Sequence, residues 1–149
     1  MENYEINEET LAIIPSKNKS IVYEKYDKFV VNKPVNKIME ESCEYFGSSL
    51  SGRQKGTTKL IGVSHKAPII VEETKEIIFF PTTSPRLTNC SWISLNNYKN
   101  HYRKKGKTVI EFGNKEKIEF KISLGIISNQ HARSTKLSYA LNQRKRQKS

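Results

Sequence analysis

The residue types that grip an anion are concentrated in residues 43–94. Gly47, Ser48, Ser49, Ser51, Gly52 and Gly56 are small, and Arg53 and Lys55 stand among them. No Asp or Glu occurs between Glu44 and Glu72, whereas Arg53, Lys55, Lys59 and Lys66 all fall in that interval. Small residues let backbone N–H groups approach a negative group closely. Cations set among them hold phosphate or enter a groove. Residues 48–56 are therefore expected to form a loop that presents Arg53 and Lys55. The competing reading is a flexible surface loop with ordinary solvated lysines.

Catalytic chemistry needs more than this stretch offers. Cys43 or Cys90 with His65 has the composition of a nucleophile and its base. Both cysteines flank apolar segments, where a free thiol packs as a small hydrophobe. They are too few and too far apart for a metal cluster or a disulfide framework. The chain has no G-x-S-x-G, no H-E-x-x-H and no P-loop, because the glycines of residues 47–56 lack the Walker spacing. Glu40, Glu41 and Glu44 read as helix-surface charges. The chain reads as a non-enzyme with no cofactor and no metal.

Charge points elsewhere. The net charge is +11 over 149 residues. Residues 1–97 hold 12 Lys/Arg against 12 Asp/Glu, and residues 98–149 hold 14 against 3. An excess confined to the last third implies nucleic acid or an anionic membrane. Nucleic acid is favoured, since the basic third includes strand-like segments and no basic amphipathic helix stands alone. The N-terminus carries Glu2, Glu5, Glu8 and Glu9, the reverse of a signal peptide's basic start. No apolar run approaches a membrane span.

Four strings carry a resemblance: C-E-Y-F-G-S-S-L-S-G-R, S-H-K-A-P-I-I-V, F-F-P-T-T-S-P-R and C-S-W-I-S, in that order. Together they closely resemble the competence transcription factors of Gram-positive bacteria, the ComK family. The resemblance runs from about Tyr4 to Gln130. It departs at the end, where this chain reads R-K-R-Q-K-S and family members usually continue.

The resemblance implies a sequence-specific DNA-binding transcriptional activator of the genes for DNA uptake. It would bind A/T-rich boxes in double-stranded DNA, mainly through the minor groove and with bending. It would act as a homodimer or dimer of dimers that assists RNA polymerase, in the cytoplasm on the nucleoid. In the family, an adaptor of a Clp-type protease captures the segment beyond this chain's last residue. N-Q-R-K-R-Q-K-S after Leu141 offers no apolar docking segment, so that adaptor contact is not expected here. A minor-groove reader places Arg or Lys in a narrow A/T groove, where the negative potential is enhanced. Arg53 and Lys55 are the first candidates and Arg86 the next. Lys59, His65, Lys66, Arg103, Lys104, Lys105 and Lys107 would hold the DNA backbone. The alternatives are a general nucleic-acid or RNA-binding protein that stacks bases on Tyr98, His101 and Tyr102, and a truncated remnant without activator function.

The elements that must position these groups are those of an α+β fold, a β-rich single domain over residues 1–143 with a basic tail at 144–149. The acidic residues 1–9 are expected to add at most an edge strand. An apolar run at 11–14 and a hairpin at 21–23 and 29–31 come first. One helix near residues 34–46 follows, with apolar residues at helical spacing and Gly47 as its stop. Residues 60–63, 69–71, 77–80 and 92–95 read as strands, and 77–80, apolar without alternation, should be buried on both faces. Strict alternation at 108–112 and 117–122 around Gly113-Asn114 marks a hairpin. A C-terminal helix at 126–143 should bury Ile127, Ser134, Leu137 and Leu141. No helix-turn-helix is evident, so loops and strand ends are the expected readers.

Overall fold

Residues 77–80 show how the layers are arranged. A computed structural model describes residues 1–148. In it Ile77 and Phe79 pack into one core, whereas Ile78 and Phe80 pack into two others on the opposite face. Side chains alternate along a strand, so an unbroken apolar run fits a strand covered on both sides.

That strand is β5 (Ile77–Pro81) in a six-stranded antiparallel sheet. The other strands of that sheet, in chain order, are β1 (Thr10–Ser16), β2 (Lys19–Glu24), β3 (Lys28–Val31), β4 (Ile69–Glu72) and β6 (Trp92–Ser94). The spatial order is β3-β2-β1-β6-β5-β4. A second sheet of three strands contains β7 (Tyr98–Lys104), β8 (Lys107–Phe112) and β9 (Lys117–Phe120). The helices are α1 (Val35–Tyr45), α2 (Leu50–Ile61) and α3 (Leu124–Lys148).

α1 covers one face of the large sheet. Val35, Ile38, Met39 and Cys43 meet Ile13, Val22, Ile69, Phe79 and Trp92 there. The small sheet and α3 cover the other face. Ile110, Phe112, Ile118, Phe120 and Ile127 pack on Leu11, Phe80 and Ile93, while Leu137 and Leu141 pack on Ile70 and Ile78. The expected hairpins, the α1 stripe and the buried stripe of α3 are all present, and the chain is an α+β, β-rich fold.

Several local details differ from the sequence reading or go beyond it. Residues 48–56 are not a loop, because α2 occupies Leu50–Ile61. α1 closes through Gly47 (φ +86°), with Gly47 N donating to Glu44 O and Ser48 N donating to Cys43 O, both at 2.9 Å. This Schellman closure satisfies the last carbonyls. Ser49 then caps α2 by accepting from Gly52 N at 2.9 Å, an interaction typically worth about 1 kcal/mol. Burial outweighs the low helix propensity of Gly52 and Gly56: Thr57 is buried and donates to Pro68 O, and Leu60 and Ile61 pack against the α3 core. For the same reason residues 60–63 are not a strand.

Residues 1–9 add no strand, yet Tyr4 and Ile6 are core residues, and Tyr4 Oη donates to Glu24. Residues 98–104 form a strand that the sequence conceals. Residues 144–148 of the expected basic tail continue α3 as helix, while Ser149, the end of that tail, lies outside the described residues.

Candidate nucleic-acid interface

Strand register places the cations. Pro81 pairs with Trp92, Trp92 with Ile13, Ser16 with Lys19, and Ser20 with Val31. The β5–β6 loop, the β1–β2 turn and the β3–α1 junction therefore leave the same end of the large sheet. β4 also begins at that end, since Ile69 pairs with Phe79, so the α2–β4 loop arrives there. The small sheet is oriented to match. Its β8–β9 turn lies at the opposite end, where Asn114 Nδ2 donates to Lys25 O at 2.7 Å. Its β7–β8 tip is at the near end, where Thr108 donates to Ile122 O just before α3 starts.

One end of the molecule thus collects Lys17, His65, Lys66, Arg86, Arg103, Lys104, Lys105 and Lys107. Among the described residues only Lys107 of this set forms an ion pair, at 3.7 Å from Glu119. Three of the lysines occupy the left-handed backbone region: Lys17 (φ 58°), Lys66 (φ 50°) and Lys105 (φ 51°). Such backbone costs a non-glycine residue on the order of 1 kcal/mol, and residues held this way cluster at functional sites. Lys105 and Gly106 (φ 77°) join paired Lys104 and Lys107 in a two-residue turn. Positive φ at both central residues matches the twist of the flanking strands.

α3 fixes the backbone of this end. Gln130 Nε2 donates to Lys66 O and to Pro81 O, both at 2.8 Å, and Arg133 Nη1 donates to His65 O at 3.0 Å. Residues 64–67 and 84–86 flank a cleft of about 320 Å³ with no carboxylate in its lining. Gln130 and Arg133 are positioning residues that sequence reasoning missed. The signal was a Gln placed in the apolar stripe between Ile127 and Ser134.

The other candidates are placed differently. Lys55 and Lys59 are exposed on α2 and form no ion pair among the described residues. Arg53 is at the far end of the sheet, with its side chain 18% exposed and Nη1 3.8 Å from Glu73. Its Nε is buried without a partner. Glu73 also takes Arg144 at 2.9 Å, and Lys145 reaches Glu73 O at 2.7 Å and Glu76 at 3.7 Å. The two cations that begin the expected tail thus close onto the β4–β5 turn.

The supposed stacking aromatics are also engaged. Tyr98 stacks on His131 at 4.3 Å and its hydroxyl meets His101 Nδ1, while His101 Nε2 meets Ser128 Oγ at 2.8 Å. This cluster joins β7 to α3. Burial, then the neighbouring His101, holds His131 below the usual imidazole value, and burial raises the Tyr98 hydroxyl.

Both thiols are free and buried. Burial pushes Cys43 up to about 12 against a smaller opposing effect of Arg53. Burial also raises Cys90, whose Sγ donates to Thr83 O. Among the described residues no three His, Cys, Asp or Glu group as metal ligands, and no helix is long and apolar enough to cross a membrane.

A basic end built from turn tips is accompanied by a clear kinship. The family profile described as ComK protein matches residues 1–146. The Competence transcription factor of Bacillus subtilis (strain 168) is 36% identical over 135 residues, which is 87% of this chain and 70% of that protein. No solved structure matches. The chain belongs to the ComK protein family.

Proposed function

We propose that the protein is a sequence-specific DNA-binding transcriptional activator of competence genes. It binds A/T-rich boxes mainly through the minor groove, as a homodimer or dimer of dimers that assists RNA polymerase. The observation that carries this reading is the gathering of unpaired cations on turn tips at one end of the large sheet. Six strands about 4.8 Å apart make that end roughly 24 Å wide, most of a duplex turn of about 34 Å. The minor groove is only about 6 Å wide, so single turn tips enter it and the end as a whole does not.

In this reading Arg86 and Lys66, beside one cleft, are the groove readers. His65, Arg103, Lys104 and Lys105 hold phosphates, with Lys107, Lys55 and Lys59 at the margin. Arg53 is reassigned to the Glu73 clasp. The kinship with a competence transcription factor supports the biological assignment.

Competition for the protein among an A/T-rich duplex, a G/C-rich duplex and single strands of each tests the reading. Preference for the A/T-rich duplex is expected. Equal binding of all three, or preference for single strands, would replace it with general nucleic-acid binding.

A further inference from the structure

The β5–β6 loop carries an apolar side chain at its tip. Leu87 is 53% exposed and follows Arg86 directly. A lone exposed Leu on a protein surface says little. This one sits on a braced support among cations. Ser84, Pro85, Arg86 and Leu87 form a turn in which Leu87 N donates to Ser84 O at 3.0 Å, with Pro at the second position that such turns favour.

Asn36 of α1 donates to Pro85 O, and Cys90 N donates to Leu87 O at 3.4 Å. Below the turn, Thr82 N donates to Ser91 O at 2.9 Å and Ser91 N to Thr82 Oγ1 at 3.0 Å. Leu87 shares a cleft with Lys17 and Arg86, and no carboxylate lines it. Tyr26 and Tyr45, more exposed still, belong to the opposite end, where Tyr45 is the last residue of α1 and its neighbour Phe46 lines a cleft with Glu72 and Thr74. A loop held from both sides loses little further entropy on binding. The cations around the Leu favour a polyanion as its occupant over a neutral or basic protein surface.

Minor-groove proteins insert apolar wedges between base steps and kink the duplex by about 20–90°. Pyrimidine–purine steps such as TA unstack most easily. We propose that Leu87 is such a wedge: with Arg86 in the groove, its side chain enters a TA step and kinks the DNA. The inference rests on the DNA-binding reading above and names the residue that deforms the duplex.

The test uses the full chain and an A/T-rich duplex with 2-aminopurine beside a TA step and dyes at both ends. Binding of the unaltered protein should raise 2-aminopurine emission and bring the ends together. Leu87→Ala should lose both signals and bind about 5- to 30-fold more weakly, with its thermal melt unchanged because the side chain is exposed. Leu87→Met should restore the signals, and Tyr45→Ala at the opposite end should match the unaltered protein. Bending and unstacking by Leu87→Ala at the original level overturn the wedge, as does weaker binding with the bend intact. If the unaltered protein shows no preference for the A/T duplex, the DNA reading itself falls, an outcome visible before any variant is made.

Discussion

The two ends of the six-stranded sheet use the same residue types in opposite ways. At one end Lys66, Arg86, Lys104 and Lys105 have no carboxylate partner among the described residues. At the other, Arg53, Arg144 and Lys145 terminate on Glu73 and Glu76. A formal charge count treats these cations alike. A phosphate does not, because binding Arg53 or Arg144 first requires breaking an internal ion pair. The cations available to DNA are those the fold leaves without a partner; among the described residues, seven of the 26 Lys and Arg in the sequence are held in ion pairs.

The largest expected effect separates the ends directly. Arg86→Ala should cost about 1–3 kcal/mol of A/T-box binding and leave the melting temperature unchanged. Arg53→Ala should do the reverse, lowering stability with A/T binding retained. Fluorescence anisotropy and thermal melts of both variants decide the matter. Greater loss of DNA binding in Arg53→Ala would abolish the distinction between the ends.

Salt dependence sharpens it. Each phosphate contact contributes about −0.9 to the slope of log K against log salt. Lys104→Ala with Lys105→Ala should flatten that slope by roughly two units, whereas Arg144→Ala with Lys145→Ala should leave it nearly unchanged. Equal flattening by the two pairs would put the end of α3 on DNA as well.

A smaller effect probes the clasp itself. Glu73 is half exposed, and exposed pairs contribute at most about 1 kcal/mol each. Glu73→Gln, which weakens the Arg53 and Arg144 pairs together, should therefore lower stability by on the order of 1 kcal/mol. The loss should shrink at high salt, where such pairs are screened. A loss independent of salt would indicate packing instead of charge.

The smallest effect concerns the joint between β7 and α3. His131 has a folded-state value below its unfolded one, so the unfolded chain takes up its proton first as pH falls. Stability should therefore decline from about pH 6.5 downward until the folded form is protonated too. His131→Phe should flatten this part of the melting-temperature profile. An unaltered profile would show that other groups set the acid dependence.

Periodicity made much of the molecule legible. Ile127, Ser134, Leu137 and Leu141 announced the buried face of α3, and the alternation of β8 and β9 announced their hairpin. Residues 77–80 announced a strand covered on both faces. What stayed hidden were elements stabilised by neighbours. α2 contains Gly52, Gly56, Ser51, Thr57 and Thr58, all poor helix formers, and its visible marks were only Ser49 before it and Gly62 after it. β7 has mostly exposed or half-buried polar residues, so it shows no alternation to read. Tyr4 and Ile6 were masked by the acidic residues between and around them. For the site, the sequence showed which residues carry charge. It did not show that Glu73, distant in the chain, meets both Arg53 and Arg144.

The pairing of β1 with β6 has a consequence for how the chain reaches this structure. β1, β2 and β3 form one local meander, and β4, β5 and β6 another with a longer connection. Among the described residues, strand pairing joins the two only where Ala12 meets Ile93 and Ile13 meets Trp92. Long-range pairings slow folding, since a large loop must close before any contact repays it. During synthesis the first meander therefore waits, with one edge open, until the ribosome has released residue 93. The single tryptophan of the chain, Trp92, lies in that seam and is fully buried there. Its intrinsic fluorescence will report the moment at which the two halves become one sheet.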